Sequence, residues 1–322
     1  MKALRLHATG DLRMHEEPDP EPRPGQVLVR VAAVGLCGSD RHWFLEGGIG
    51  DAVLERPLVL GHELAGTVAA GPRTGERVVL DPAVPCGRCG LCLAGQGHLC
   101  ADMQFAGHGT TDGGLRTLVA WPAELAHPLP DTIPDEAAPL LEPLGVALHA
   151  ADLGGAAPGA SAAVFGCGPI GLLLVQALQA AGVVVEVASD PLRHRAEAAR
   201  ELGARRSEPD GVQVDVSYEA AGDNAALDAA IAAARPGGRV VLVGIPDGDR
   251  SCFGAAAARR KELTLVLCRR MRAADLPRAI ALAQSARLEL AALVSARYPL
   301  AEGPDAFCDL VERRGLKVVV VP

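Results

Sequence analysis

The chain has 322 residues, enough for about two domains of ordinary size with sizeable cores. Its 49% hydrophobic and 22% charged residues exclude intrinsic disorder, and its 37 glycines and 24 prolines follow no triplet period, which excludes a collagen-like chain. The net charge is −8, with no long basic run, no apolar stretch of about 18 residues and no apolar signal core after Met1, so we expect a soluble, cytoplasmic protein without nucleic-acid or membrane partners.

In chain order, the first 150 residues read as an irregular β domain. Val27–Val31 and Arg77–Leu80 are strands between the turn signals Pro24-Gly25 and Thr74-Gly75. A helical apolar period first emerges at about 139–151. After Gly159 the pattern changes to alternating strands and helices. Ala162–Phe165 is a strand, Leu172–Ala181 a helix stopped by Gly182, and Val183–Val187 a strand. Pro191–Leu202 is a charged helix closed by Gly203, Val214–Tyr218 a strand, and Asn224–Ala234 an Ala-rich helix ending at Pro236-Gly237-Gly238. Strands follow at Arg239–Val243 and Leu263–Leu267. Such alternation predicts an α/β doubly wound parallel sheet. Two helices near Leu276–Ser285 and Asp305–Arg313 and the apolar strand Lys317–Val321 close the chain.

Gly166, Gly168 and Gly171 form a G-x-G-x-x-G between the strand at 162–165 and the helix after it. Glycine at these positions permits a tight turn and lets backbone approach a pyrophosphate at a helix N-terminus. Asp190, 24 residues after Gly166, stands where a carboxylate would accept from ribose hydroxyls. It favours NAD because it would repel a 2′-phosphate. Arg193 and Arg195 lie close enough to bear on that choice, and the alternative reading of Asp190 is a helix cap.

The nine cysteines are odd in number, and Cys86, Cys89, Cys92 and Cys100 fall within 15 positions. This clustering points to metal rather than disulfides. Four thiolates close a tetrahedral shell around zinc, which makes the 86–100 lobe a structural site; an iron–sulfur cluster or free thiols are the alternatives.

A second set comprises Cys37, in Gly35-Leu36-Cys37-Gly38-Ser39-Asp40-Arg41-His42, and His62 with Glu63, in Gly61-His62-Glu63-Leu64-Ala65-Gly66. Together with the lobe, the glycine loop and Leu141-Glu142-Pro143-Leu144-Gly145, these motifs resemble the zinc-dependent medium-chain dehydrogenases over essentially the whole chain. Within that family the resemblance is closest to the sorbitol (L-iditol) and related polyol dehydrogenases. It implies a GroES-like irregular β catalytic domain at 1–150 and 271–322 and an NAD-binding Rossmann domain at 151–270. It also implies two zinc ions per chain. The catalytic one would take Cys37 and His62 with Glu63, Glu142, or both at different stages, a mixed set that leaves a position open. Ser39 matches the family's zinc-site hydroxyl, His42 its relay histidine, and Asp40 a group that orients a ligand. Arg270 aligns best with an arginine that touches substrate hydroxyls, although Met271 replaces the aromatic residue expected next.

For Glu63 to join His62 at one ion, the backbone after Gly61 has to turn, because a strand sends adjacent side chains to opposite faces. Pro143 is expected to push Glu142 out of helical geometry, to a bend before the helix. Of the two carboxylates Glu63 is the expected direct ligand, with Glu142 within hydrogen-bond reach of the site. The crossover between Gly203 and Asp215 is too short for the helix the family usually places there. The implied reaction is NAD-dependent oxidation of a secondary alcohol of a polyol, sugar or cyclitol. The alternatives are the same chemistry on a threonine-type amino alcohol or an aminocyclitol, and a non-catalytic NAD-binding or redox-sensing protein. The apolar strand Leu263–Leu267 at the sheet end leads us to expect a homodimer or homotetramer.

Overall fold

The alternation at Val27, Val29 and Val31 becomes a strand over Gln26–Gly35 with these side chains buried. The computed structural model describes residues 1–285 and 288–322, Asp249 by its backbone alone. The chain forms two units, Met1–Glu142 with Arg272–Pro322, and Pro143–Met271.

In the first unit, Gln26–Gly35 is the hub. It pairs antiparallel with Glu63–Ala70, Leu118–Pro122 and Lys317–Val321. Gly66 is required here: a Cβ would run into the carbonyl of Arg30 on the paired strand. The C-terminal strand docks beside the end of Gln26–Gly35, with Leu36 N donating to Val318 O at 3.0 Å. This register delivers Lys317 to the segment that leads into Cys37.

The second unit has five parallel strands in the order 184–189, 161–165, 214–219, 234–242, 264–267. No helix lies between Gly203 and Asp215 among the described residues. That stretch adds only a bridge, Val187 to Arg206, to the outer side of strand 184–189. Too few residues are available for a full strand and helix. The helix Asn224–Ala233 is capped at both ends. Asp223 accepts from Ala226 N at 2.7 Å, and Lys261 Nζ donates to the carbonyls of Ile231, Ala232 and Ala234.

The helix that opens the second unit differs from the sequence expectation. A 3₁₀ turn at Ala138–Leu140 runs straight into the helix Leu141–Gly154, so Glu142 lies within its first turn and not at a bend before it. Pro143 is tolerated because first-turn N–H groups have no partner within the helix, so its missing donor costs nothing there. No described helix is long and apolar enough to cross a membrane.

Candidate catalytic metal centre, metal lobe and cofactor loop

Cys37 is the N-cap of the helix Gly38–Glu46, in extended backbone, with Ser39 and Asp40 in the first turn. Gly61 has φ +88° and redirects the chain, so His62 precedes the strand that starts at Glu63. His62 thus lies outside the strand, so it and Glu63 are not held to the opposite-face alternation of strand neighbours. Ligand atoms of Cys37, His62 and Glu63 lie within 4.8 Å of one another; His62 and Glu63 are buried. Asp40, buried, ties the two ligand-bearing segments together. Its Oδ2 accepts from Cys37 N at 2.9 Å, its Oδ1 from Gly61 N at 3.1 Å, and Oδ1 lies 3.8 Å from His62 Nδ1. The Ser39 hydroxyl donates toward the Cys37 sulfur.

Burial holds the acidic groups of the centre toward their neutral forms. Burial, then the Glu63 carboxylate, pushes the Cys37 thiol up to about 12. Burial raises Glu142 to about 8 and Asp81 to about 6, and raises Asp40 as well. A thiol, an imidazole and a carboxylate that converge, with the carboxyls of Asp40 and Glu142 buried nearby, are a donor set that a dication fits. Glu142 feels His62, Glu63 and Cys37 electrostatically but is not one of the three residues whose ligand atoms converge.

Lys317 went unnoticed in the sequence. It is 1% exposed and forms an ion pair with Glu63 Oε2, itself on a side chain 1% exposed. Gly35 makes the room, since a Cβ there would collide with Glu63 Oε2 and with Lys317 Cε. A faint signal existed: the chain has only three lysines, and this one heads an otherwise apolar strand.

His42 is buried, with Nδ1 2.7 Å from Glu46 Oε1 one turn along the same helix. Arg270 belongs to the second unit and adopts a left-handed φ of 56°, rare for a residue with a side chain.

In the cysteine lobe the sulfurs already form a cluster. Cys89 Sγ lies 3.4 Å from Cys92 Sγ and 3.9 Å from Cys100 Sγ, and Cys86 Sγ lies 3.9 Å from Cys92 Sγ. A zinc–sulfur bond of about 2.3 Å in a tetrahedron requires edges of about 3.8 Å, so the spacing fits. The N–H groups of Arg88 and Cys89 pull Cys86 down to about 6. Leu93 in this lobe is 77% exposed, so apolar packing does little to hold it. Elemental analysis of the purified protein is expected to give about two zinc per chain, falling to about one in Cys86→Ser, while a single zinc in the unmodified protein would remove one of the two sites.

In the glycine loop each residue has its own reason. Gly166 takes φ +96°, and Gly171 lets the helix Pro169–Ala180 pack against the Gly166 carbonyl. Gly168 is the N-cap of that helix, and the Arg195 guanidinium lies within van der Waals range of where its Cβ would stand. Both Asp190 oxygens are engaged by backbone: Oδ2 accepts from Cys167 N and Oδ1 from Leu192 N, each at 2.8 Å. Asp190 thus caps the turn that follows it and braces the loop; a ribose hydroxyl would use the remaining lone pairs of the same oxygens.

Residues 23–131 match the alcohol dehydrogenase GroES-like domain, and residues 169–285 match the zinc-binding dehydrogenase domain. A sorbitol dehydrogenase of Bacillus subtilis is 34% identical over 100% of this chain and 97% of its own length. The structure of L-idonate 5-dehydrogenase from Escherichia coli superposes with a TM-score of 0.93 at 26% identity, covering 100% of this chain and 98% of that one. A short chain alcohol dehydrogenase from Escherichia coli CFT073, complexed with NADH, superposes with a TM-score of 0.90 at 27% identity over 100% and 99%. The chain belongs to the zinc-binding alcohol dehydrogenase family, with a GroES-like domain joined to a Rossmann-type parallel sheet.

Proposed function

We propose that this chain is a zinc- and NAD-dependent dehydrogenase that oxidises a secondary alcohol of a polyol, sugar or cyclitol to the ketone. The observation that carries the reading is the convergence of Cys37, His62 and Glu63 in one buried cluster, in a chain similar along its whole length to a sorbitol dehydrogenase. Cys37, His62 and Glu63 hold the catalytic zinc, which supplies Lewis-acid polarisation of the substrate hydroxyl when bound. Asp40 fixes the two ligand loops through Cys37 N and Gly61 N, and its carboxylate faces His62. Ser39 takes the hydroxyl proton and His42 passes it outwards. Glu142, held toward its protonated form by burial, hydrogen-bonds at the substrate oxygen beside the ligands. Cys86, Cys89, Cys92 and Cys100 hold the structural zinc.

Gly166, Gly168 and Gly171 receive the pyrophosphate at the N-terminus of the helix Pro169–Ala180. Asp190 accepts from the ribose hydroxyls, Arg195 flanks the loop, and Arg270 binds a substrate hydroxyl. Asp190→Ala is expected to weaken NADH binding about 10- to 100-fold, as loss of hydrogen bonds to a charged acceptor does, and to shift preference toward NADPH. Fluorescence titration with both cofactors measures this, and an unchanged ratio assigns Asp190 to capping alone.

The strand Thr264–Leu267 pairs on one side only among the described residues, and Leu267 is 76% exposed. That edge supports assembly into a homodimer or homotetramer. A cytoplasmic setting goes with the reading, since the thiolate ligands must stay reduced. The deciding experiment is NADH formation, followed at 340 nm, from the zinc-loaded protein across hexitols, pentitols, inositols, threonine and simple secondary alcohols. Turnover fastest on polyols or cyclitols is the expected result; turnover confined to threonine, or none at all, overturns it.

A further inference from the structure

The strands Lys2–Ala8 and Asp11–Glu16 form an antiparallel hairpin. Leu4 and Leu6 are buried in the core, so strand alternation sends Arg5 and His7 to the opposite face. The register places Arg13 across from Arg5 and His15 across from Ala3, on that same face. A register shift between Leu6 and Ala8 leaves His7 outside the ladder of cross-strand pairs. On this face the two imidazoles meet. His7 Nε2 lies 2.8 Å from His15 Nε2, with ring planes 17° apart and centroids 5.0 Å apart. Centroids that far apart, with nitrogens that close, mean that the rings meet nitrogen to nitrogen and not face on face. Both residues are partly exposed.

The charges around the pair are already matched. Arg5 Nη2 donates to Glu17 Oε2 and to Asp112 Oδ2, each at 2.9 Å. Arg13 grips Asp11 with two hydrogen bonds, at 2.9 and 2.6 Å. These two guanidiniums against three carboxylates leave the face with one negative charge in excess, so a cation arriving at the imidazoles meets no unbalanced positive charge. Burial, then the charge of Arg13 and the neighbouring imidazole, holds His7 below the usual histidine range. It is therefore neutral at pH 7, the form in which an imidazole ligates. Neither histidine belongs to the catalytic centre or to the cysteine lobe.

We propose that His7 and His15 form a further metal site, a two-imidazole clasp across the N-terminal hairpin that takes a divalent late transition metal such as nickel(II), copper(II) or zinc(II). The inference goes beyond the dehydrogenase reading and does not rest on it. Imidazole nitrogen suits these ions, whereas magnesium and calcium take oxygen. Two nitrogens each about 2.0–2.1 Å from one ion stand about 2.9–3.4 Å apart at square or tetrahedral angles. The 2.8 Å between the Nε2 atoms is close to the lower end of that range. A small rotation of each ring turns the two lone pairs from one another onto a single ion. One Nε2 carries the proton of the present contact; through solvent it passes to Nδ1 of the same ring, and both Nε2 atoms then ligate. Water takes the remaining positions. With only two protein ligands the site is weaker than the other two and empties on dialysis, so the two zinc expected per purified chain are unaffected.

The test is calorimetric titration of nickel(II) into untagged, zinc-loaded protein above neutral pH. One equivalent beyond the zinc sites is expected to bind, and magnesium(II) in its place is expected to give no binding. His7→Gln and His15→Gln should each raise the nickel(II) Kd at least about 10-fold, and the double substitution should remove the equivalent. His127→Gln, on the separate strand Ala126–Pro128, is the control and should leave the titration unchanged. Saturating nickel(II) should also raise the denaturant midpoint of the unmodified protein and not that of the double variant, because the clasp ties two strands together. Zinc content and the metal-free midpoint establish that the variants are folded. No extra nickel(II) in the unmodified protein overturns the site and makes the 2.8 Å contact a shared proton alone. Binding that survives the double substitution, or that ignores either single one, overturns it equally.

Discussion

Lys317→Met is expected to destabilise the zinc-free first unit by about 3–5 kcal/mol, the cost of leaving a buried charge without its partner. Lys317 and Glu63 are each 1% exposed, so water cannot replace the lost ammonium. Methionine fills nearly the same volume, so little of the loss comes from a cavity. Zinc changes the result. Glu63 stands within 4.8 Å of the Cys37 and His62 ligand atoms, where a bound dication supplies the positive charge that Lys317 no longer does. With saturating zinc the loss should fall to less than half. Adding Glu63→Gln should recover most of it in the zinc-free protein, because no unpaired charge then remains. Denaturant unfolding with chelator and with excess zinc measures all three. An equal loss in both conditions would show that Lys317 acts by packing and that its charge is immaterial.

Asp40→Ala is expected to lower catalytic-zinc affinity about 10- to 100-fold, the range typical when a group behind the ligands is removed. The cause is geometric. The carboxylate joins Cys37 N and Gly61 N, so without it the helix cap and the turn before His62 lose their common anchor. It also strands buried donors, at about 1–3 kcal/mol each. Asp40→Asn retains an acceptor for one of the two N–H groups and should lie between the alanine variant and the native protein. Competition with a fluorescent zinc chelator reads the affinity, and the cysteine lobe serves as an internal reference because it is remote in sequence and made of different ligands. Native affinity in Asp40→Ala would mean that Cys37 and His62 are positioned by their own backbones.

Much of this protein is determined by short-range sequence. Cys86, Cys89, Cys92 and Cys100 fall within one loop, so their spacing alone brings four sulfurs together, as the 3.4–3.9 Å separations reflect. The glycine loop is equally local: a strand, a turn at Gly166 and a helix start at Gly168 occupy consecutive residues. The pairing of Cys37 with His62 and Glu63 was legible only through resemblance, since neither motif by itself specifies a metal site. Tertiary structure decided the rest. Glu142 lies inside its helix because the 3₁₀ turn at Ala138–Leu140 flows into it, which overrides the local preference of a residue before proline. Asp190 braces the loop because the parallel pairing of strands 161–165 and 184–189 sets it beside Cys167 N. Lys317 reaches Glu63 from the far end of the chain, and His108 reaches Trp43 from another loop, because strand register and glycine-permitted backbone contact place them there. Spacing in sequence carries such information only while partners share one turn or loop; beyond that, the register of distant strands decides which side chains meet.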